Sequence, residues 1–346
     1  MIRSILGRVL ALVLTAVAAG AWTTGAWAAD VTLYTTREPG LIRPLLEAYT
    51  AKTGTKVNTV FLQAGLAERL QSEGARSPAD LIIVVDAANL LDLVKRDLTQ
   101  PVRSPVLDAA IPPAFRDPDG QWFALSLRAR VLFVSKDRVP AAETPTYEDL
   151  SSARWKGRVC IRGGQHPYNV ALFSAFLAKH GGPALDTYLA GLKGNLARRP
   201  GGGDRDVAKD IAAGLCDVGV SNIYYYGLMK SGAGGPEQVK WADAVRVVLP
   251  TFSDKVGTHM NISGAAVTKH APNREGAINL LEFLVGADAQ RMLAEANFEA
   301  PVRAGVPPHP IIAGQGTLRP DSVTPAQIAA GGKAASLAVD RAGFDQ

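Results

Sequence analysis

Trp122-Phe123-Ala124-Leu125-Ser126-Leu127-Arg128-Ala129-Arg130-Val131-Leu132-Phe133-Val134 is the stretch on which the fold turns. It reads as extended chain, yet it overruns a lone strand inside one sheet, where strands usually hold about 3–10 residues. A strand that leaves one domain and enters another accounts for the length. Further on, the runs 245–249 and 262–268 form a second strand pair that fits a return crossover. Two crossings between two lobes define a hinge.

On the N-terminal side of that stretch the chain alternates strand and helix. Residues 31–34 are β-rich and stop at the polar loop 35–40; 41–52 then carries Leu41, Ile42, Leu45, Leu46 and Tyr49 at helical spacing. Strands are predicted at 57–61 and 81–85, and helices at 67–75 and 87–96. On the C-terminal side, 146–150 reads as a helix start, 157–161 as a strand, 162–167 as a loop, and a helix runs from Tyr168 or Asn169 to His180. The glycines of 198–206 match neither a dinucleotide fingerprint nor a P-loop, and Asp204 is a competent helix cap. Residues 273–296 read as one helix, 300–302 as a short extended segment, and the remainder as a Pro/Gly/Ala-rich tail. The fold class expected is α/β: two doubly wound lobes joined by a β-strand hinge, with ligand loops at the strand C-termini. The lobes should comprise 29–127 with 255–305, and 128–254 with 306–346.

Arg3, Arg8, the apolar run 9–19 and Ala26-Trp27-Ala28 form a secretory signal peptide cleaved after Ala28. Cleavage leaves 35 basic against 32 acidic residues, so the apparent basicity largely disappears and nothing points to nucleic acid. No later segment is apolar enough to span a membrane, and roughly 318 residues exceed one ordinary core. Export places Cys160 and Cys216, the only cysteines, in an oxidising compartment, where an even pair reads as one disulfide; two free thiols as metal ligands are the alternative, though no C-x-x-C supports it. Each lies eight residues before a tyrosine, Tyr168 and Tyr224.

Tyr224 belongs to Asn222-Ile223-Tyr224-Tyr225-Tyr226-Gly227, which follows the strand-like run 217–221. Three consecutive phenols at a strand end either fill the core or present oxygens to a ligand. The five histidines after the signal, His166, His180, His259, His270 and His309, lack ligand-like spacing. No G-x-S-x-G, H-E-x-x-H or evident carboxylate pair argues for an enzyme. An exported, two-lobed, hinged chain has the architecture of a binding protein that closes on a solute.

Seven strings in order then resemble one family. Tyr34-Thr-Thr-Arg37, Pro78-Ala-Asp80 with Val85-Asp86-Ala87, Arg128-Ala-Arg130, Gly157-Arg-Val-Cys160-Ile-Arg162, Gly202-Gly-Asp-Arg-Asp206, Cys216-Asp-Val-Gly-Val-Ser-Asn222-Ile-Tyr-Tyr225 and Gly257-Thr-His-Met-Asn-Ile-Ser-Gly264 are similar to the periplasmic ferric-iron-binding proteins of ABC importers, which have the type II periplasmic binding protein fold. The resemblance implies Fe(III) held in the interlobe cleft by the phenolates of Tyr224 and Tyr225, with Tyr168 similar to a third ligand, and delivery by a monomer to an inner-membrane ABC permease. Tyr226 falls at a position that varies in the family and should pack structurally. Hard Fe(III) suits oxygen donors. Where some relatives place His or His-Tyr after the arginine matching Arg37, this chain has Glu38 and Pro39; Pro39 cannot ligate, and Glu38 offers a carboxylate. A synergistic anion such as carbonate would complete the site, hosted by Arg37, Arg128 or Arg130 unless these form ion pairs. A Cys160–Cys216 bond would brace the Tyr168 and Tyr224 loops. The other reading is an organic or anionic solute with the tyrosines as a stacking platform.

Overall fold

The computed structural model describes residues 29–346, so the predicted signal peptide and its cleavage point lie outside the described residues. The first strands follow from short apolar runs. β1 (Val31–Thr35) is followed by α1 (Pro39–Thr53), whose entry Pro39 fixes; its exit is Gly54 at φ 77°, a left-handed conformation that suits glycine. β2 (Val57–Phe61), α2 (Leu66–Glu73), β3 (Leu81–Val84) and α3 (Ala87–Lys95) continue the alternation. β1 pairs in parallel with both β2 and β3, and β3 is buried at every residue, as a strand covered on both faces must be.

After the short α4 (Pro105–Ala110) comes β4 (Phe123–Ser135), thirteen residues long and buried throughout. Its two halves serve different neighbours. Phe123 to Ala129 pairs antiparallel with β8 (Met260–Val267), and Arg130 to Val134 pairs antiparallel with β6 (Val218–Asn222). The pairing changes hands between Ala129 and Arg130. The strand order is β2-β1-β3-β8-β4-β6-β5, with β7 (Val245–Val248) and β9 (Ala300–Pro301) also pairing with β4, and β5 (Val159–Cys160) at the far edge. One long strand thus joins both halves of the molecule.

Around β5 and β6 lie α5 (Pro167–His180), α6 (Gly182–Gly194), α7 (Asp204–Ala212), α8 (Ile223–Lys230) and α9 (Pro236–Ala244). The predicted helix start at 146–150 is a single 3-10 turn, Glu148–Ser151. Two further expectations are corrected, and the tail, read only as rich in Pro, Gly and Ala, carries helices. The helix read over 273–296 is two, α10 (Arg274–Leu284) and α11 (Ala287–Asn297), because Gly286 adopts an extended conformation that opens a new helix. The cap of α7 is Gly203, not Asp204: Asp206 accepts the Gly203 N–H at 2.7 Å and frees the Asp204 carboxylate for a buried role. The tail forms α12 (Pro310–Ala313) and the seventeen-residue α13 (Pro325–Arg341), opened by a reciprocal cap between Thr324 and Gln327. α13 packs on α5 and also touches α3, and the three helices enclose a cavity of about 900 Å³. No helix among the described residues is long and apolar enough to cross a membrane.

Candidate functional site

β6 runs directly into α8, so the chain turns at Asn222 and delivers Tyr224 and Tyr225 within the first turn of the helix. α5 starts two residues after Gln165: His166 caps it by accepting the Tyr168 N–H on Nδ1 at 3.2 Å, and Pro167 fixes the first turn. The two helix starts meet. The Tyr168 and Tyr224 hydroxyls are 3.2 Å apart, and the Tyr224 and Tyr225 rings lie 4.2 Å apart at 35°. Tyr226, on the other side of α8, is buried against Phe133. Gly227 lets α8 approach the end of α11, since a Cβ there would meet the Phe298 ring at 2.5 Å.

Both ends of the second-lobe platform rest on one covalent link. Cys160, at the end of β5, and Cys216, just before β6, are disulfide-bonded with Cα atoms 5.9 Å apart. The predicted pairing is therefore present, and among the described residues no cysteine is free.

The electrostatics favour phenols that wait in neutral form. Burial, then the phenols of Tyr168 and Tyr225, push the Tyr224 pKa well above the ordinary phenol value, against the opposing pull of Arg128. Tyr225 is raised in the same way, first by burial and then by Tyr168 and Asp204. His166 is held down to about 4, first by burial and then by Arg162, so it stays neutral and free to accept the cap bond. Three guanidinium carbons surround the Tyr168 ring: Arg162 at 5.1 Å, Arg128 at 5.2 Å and Arg130 at 5.9 Å from its centroid.

These arginines are not equivalent. Arg130 is 2% exposed and its two terminal nitrogens are held by Asp204 at 2.5 Å and by Asn169 at 2.6 Å, and Arg162 reaches the same Asp204 at 3.2 Å. Arg37 is held by both oxygens of Glu299 at 2.9 Å and by Ser263 at 2.7 Å, with Ser126 on the same carboxylate. Arg37 and Arg130 thus stand in the ion pairs that were the alternative to hosting an anion, each buried guanidinium matched by a carboxylate. Arg128 differs. It is 3% exposed, gives one N–H to the Ile262 carbonyl, leaves Nε unpaired as Arg130 does, and among the described residues has no carboxylate within ion-pair distance. Glu38 stands exposed before α1, and its carboxylate makes no hydrogen bond or ion pair among the described residues.

Among the described residues no group of three His, Cys, Asp or Glu side chains is arranged to hold a metal, so phenols are the oxygen donors this site offers. Sequence reasoning missed Arg162 and Asn169 and misread Asp204. Asp204 was visible as an acid inside the string that carried the resemblance, but its partners lie 18 to 74 positions away.

The comparisons with known proteins bear on this geometry. The model of the family described as bacterial extracellular solute-binding protein matches residues 45–319. Iron uptake protein A2 of a Synechocystis species is 42% identical over 294 residues, 84% of this chain and 83% of that protein. A solved ferric binding protein from Bordetella is 51% identical with a TM-score of 0.87, covering 92% of this chain and 100% of that one. A Trichodesmium protein solved with iron and citrate ligands is 38% identical with a TM-score of 0.86, covering 91% of this chain and 99% of that one. With a family model spanning most of the chain and full-length likeness to these proteins, the chain belongs to the bacterial extracellular solute-binding protein family, in which its relatives are iron-uptake and ferric-binding proteins.

Proposed function

We propose that this protein captures ferric iron in the periplasm and delivers it, as a monomer, to an inner-membrane ABC permease. The observation that carries the reading is the meeting of Tyr168, Tyr224 and Tyr225 at the starts of α5 and α8. Three phenolates would match the charge of a trivalent cation, and the raised pKa values of Tyr224 and Tyr225 mean that such a cation displaces their protons on binding. The full-length likeness to ferric-binding proteins supports the same cargo.

The lobes are assigned as 29–127 with 255–305, and 128–254 with 306–346, and the exchange of partners along β4 between Ala129 and Arg130 supports that boundary. Arg128 hosts a small synergistic anion such as carbonate, because, of the three arginines around the Tyr168 ring, it is the one without a carboxylate ion pair among the described residues. Glu38, exposed and unpaired among the described residues on the loop after β1, is the candidate carboxylate on the first-lobe side.

Titration of the mature protein with ferric citrate at neutral pH, followed in the visible, tests the reading. A tyrosinate-to-iron charge-transfer band should saturate at one equivalent and vanish in the Tyr224→Phe, Tyr225→Phe double variant. A wild-type protein that stays colourless and retains no metal would overturn it, and binding of an organic or anionic solute, with the tyrosines stacking, would take its place.

A further inference from the structure

Asp204 is the least exposed charged group near the phenols, with its side chain fully enclosed, and it accepts from three directions. Arg130 donates one nitrogen to Oδ2 at 2.5 Å, Arg162 donates to Oδ1 at 3.2 Å, and the Asn222 backbone N–H donates to Oδ2 at 2.7 Å. The last of these is the turn from β6 into α8, two residues before Tyr224. Arg130 then relays the link, because its other terminal nitrogen donates to Asn169 Oδ1 at 2.6 Å, one residue after Tyr168. Asn169 in turn donates to the Arg162 and Gly163 carbonyls at 2.9 and 3.0 Å, fixing the loop that leads into α5. One carboxylate therefore joins both tyrosine-bearing helix starts through a chain of buried bonds without itself lying among the phenol hydroxyls.

From this connectivity we infer that Asp204 is a positioning residue for the proposed iron site: acting through Arg130 and Asn169, it sets the separation of Tyr168 from Tyr224. The inference rests on the function proposed above. The disulfide does not replace it. Cys160 and Cys216 tie the strands beneath the site, whereas Asp204 acts at the turns from which the phenols project. Charge is shared the same way: a single carboxylate is matched to Arg130 and Arg162, and Arg128 is left uncompensated beside Tyr168.

The test is a double-mutant cycle on ferric affinity, read together with the energy of the charge-transfer band. Asp204→Asn should weaken ferric binding by about 10–100-fold, the range for losing an outer partner of a metal ligand, and should move the band. Tyr168→Phe alone should cost roughly tenfold or more, but in the Asp204→Asn background less than about threefold, because the phenol is already out of register. Melting of the empty variant and its near-ultraviolet dichroism check that it is folded. Should Asp204→Asn fail to fold, Arg130→Lys keeps the charge opposite Asp204 while losing the fork that also reaches Asn169, and the same loss of coupling to Tyr168 is expected. Additive losses in a folded variant, or an unmoved band, overturn the assignment while leaving the cargo reading intact. A wild-type protein without any band overturns both.

Discussion

The two sides of the proposed cleft solve different problems. On the second lobe, Tyr168, Tyr224 and Tyr225 come from two helix starts that buried bonds hold together, with three guanidinium groups around one ring. On the first lobe, the loop after β1 offers Arg37 and Glu38, and Arg37 is consumed by Glu299 inside the lobe. One side is assembled before the cargo arrives; on the other, Arg37 is tied up inside the lobe and Glu38 stands exposed, its carboxylate unpaired among the described residues. The difference teaches that charge near a site is not charge available to it, since an arginine counts only after its carboxylates have been subtracted.

The comparison can be stressed from the strong side first. If Tyr224 and Tyr225 hold protons when empty, cargo binding releases them, and apparent ferric affinity should fall on acidification by up to about 100-fold per pH unit, tenfold per proton. Competition against a chelator whose own protonation is corrected for, between pH 7.5 and 5.5 by choice, measures that slope, and a flat profile would remove the two phenols from the site. The empty protein carries the opposite sign. Its phenol pKa values are raised, so the folded state keeps protons that the unfolded chain loses above about pH 10, and stability should decline as pH rises past that point.

The first-lobe arginine should answer in stability rather than in cargo. Burial opposes the charge on Glu299, but Arg37 outweighs it and holds the carboxyl below the usual carboxylate range. Glu299→Gln leaves Arg37 buried without a countercharge and should cost about 3–5 kcal/mol of folding free energy, seen in urea melts, with the charge-transfer band unmoved. The Glu299 contribution is present above the carboxylate range and lost as pH falls through it. Arg128→Gln is the intermediate case: with its guanidinium assigned to the anion, ferric affinity in carbonate buffer should drop roughly tenfold, about the worth of one charged hydrogen bond, and addition of carbonate should cease to matter. Glu38→Gln should have the smallest effect, less than about threefold on affinity, because an exposed carboxylate in water contributes little. A loss of tenfold or more there would make Glu38 a ligand.

Most of the architecture was legible because it rests on local pattern. The length of 122–134 announced a strand shared by two sheets, and its burial over all thirteen residues follows from covering both. The tyrosine platform was legible by resemblance to a family and by the disulfide spacing. What escaped depended on contacts between distant residues. Arg37 and Glu299 are 262 positions apart, and nothing in either neighbourhood announces the pair. Asp204 sits where a cap is expected, and only the fold reveals that Asp206 takes that task. The tail was read on composition alone, as rich in Pro, Gly and Ala, and its helix went unnoticed although Thr324-Pro325 and Gln327 spell a helix entry.

That tail helix has a further consequence. α13 is bonded to the loop before α5 through Gln165, with Ser336 and Asp340 as partners, so it travels with the tyrosines. It lines the cavity shared with α3 with Ala326, Ile328, Ala329, Ala330, Gly332, Lys333 and Ser336, and among the described residues no hydrogen bond or ion pair joins the two helices. A shift of α13 against α3 therefore breaks no such bond. On the proposed reading, the hold on the cargo is then set by the phenols and not by bonds between these two helices.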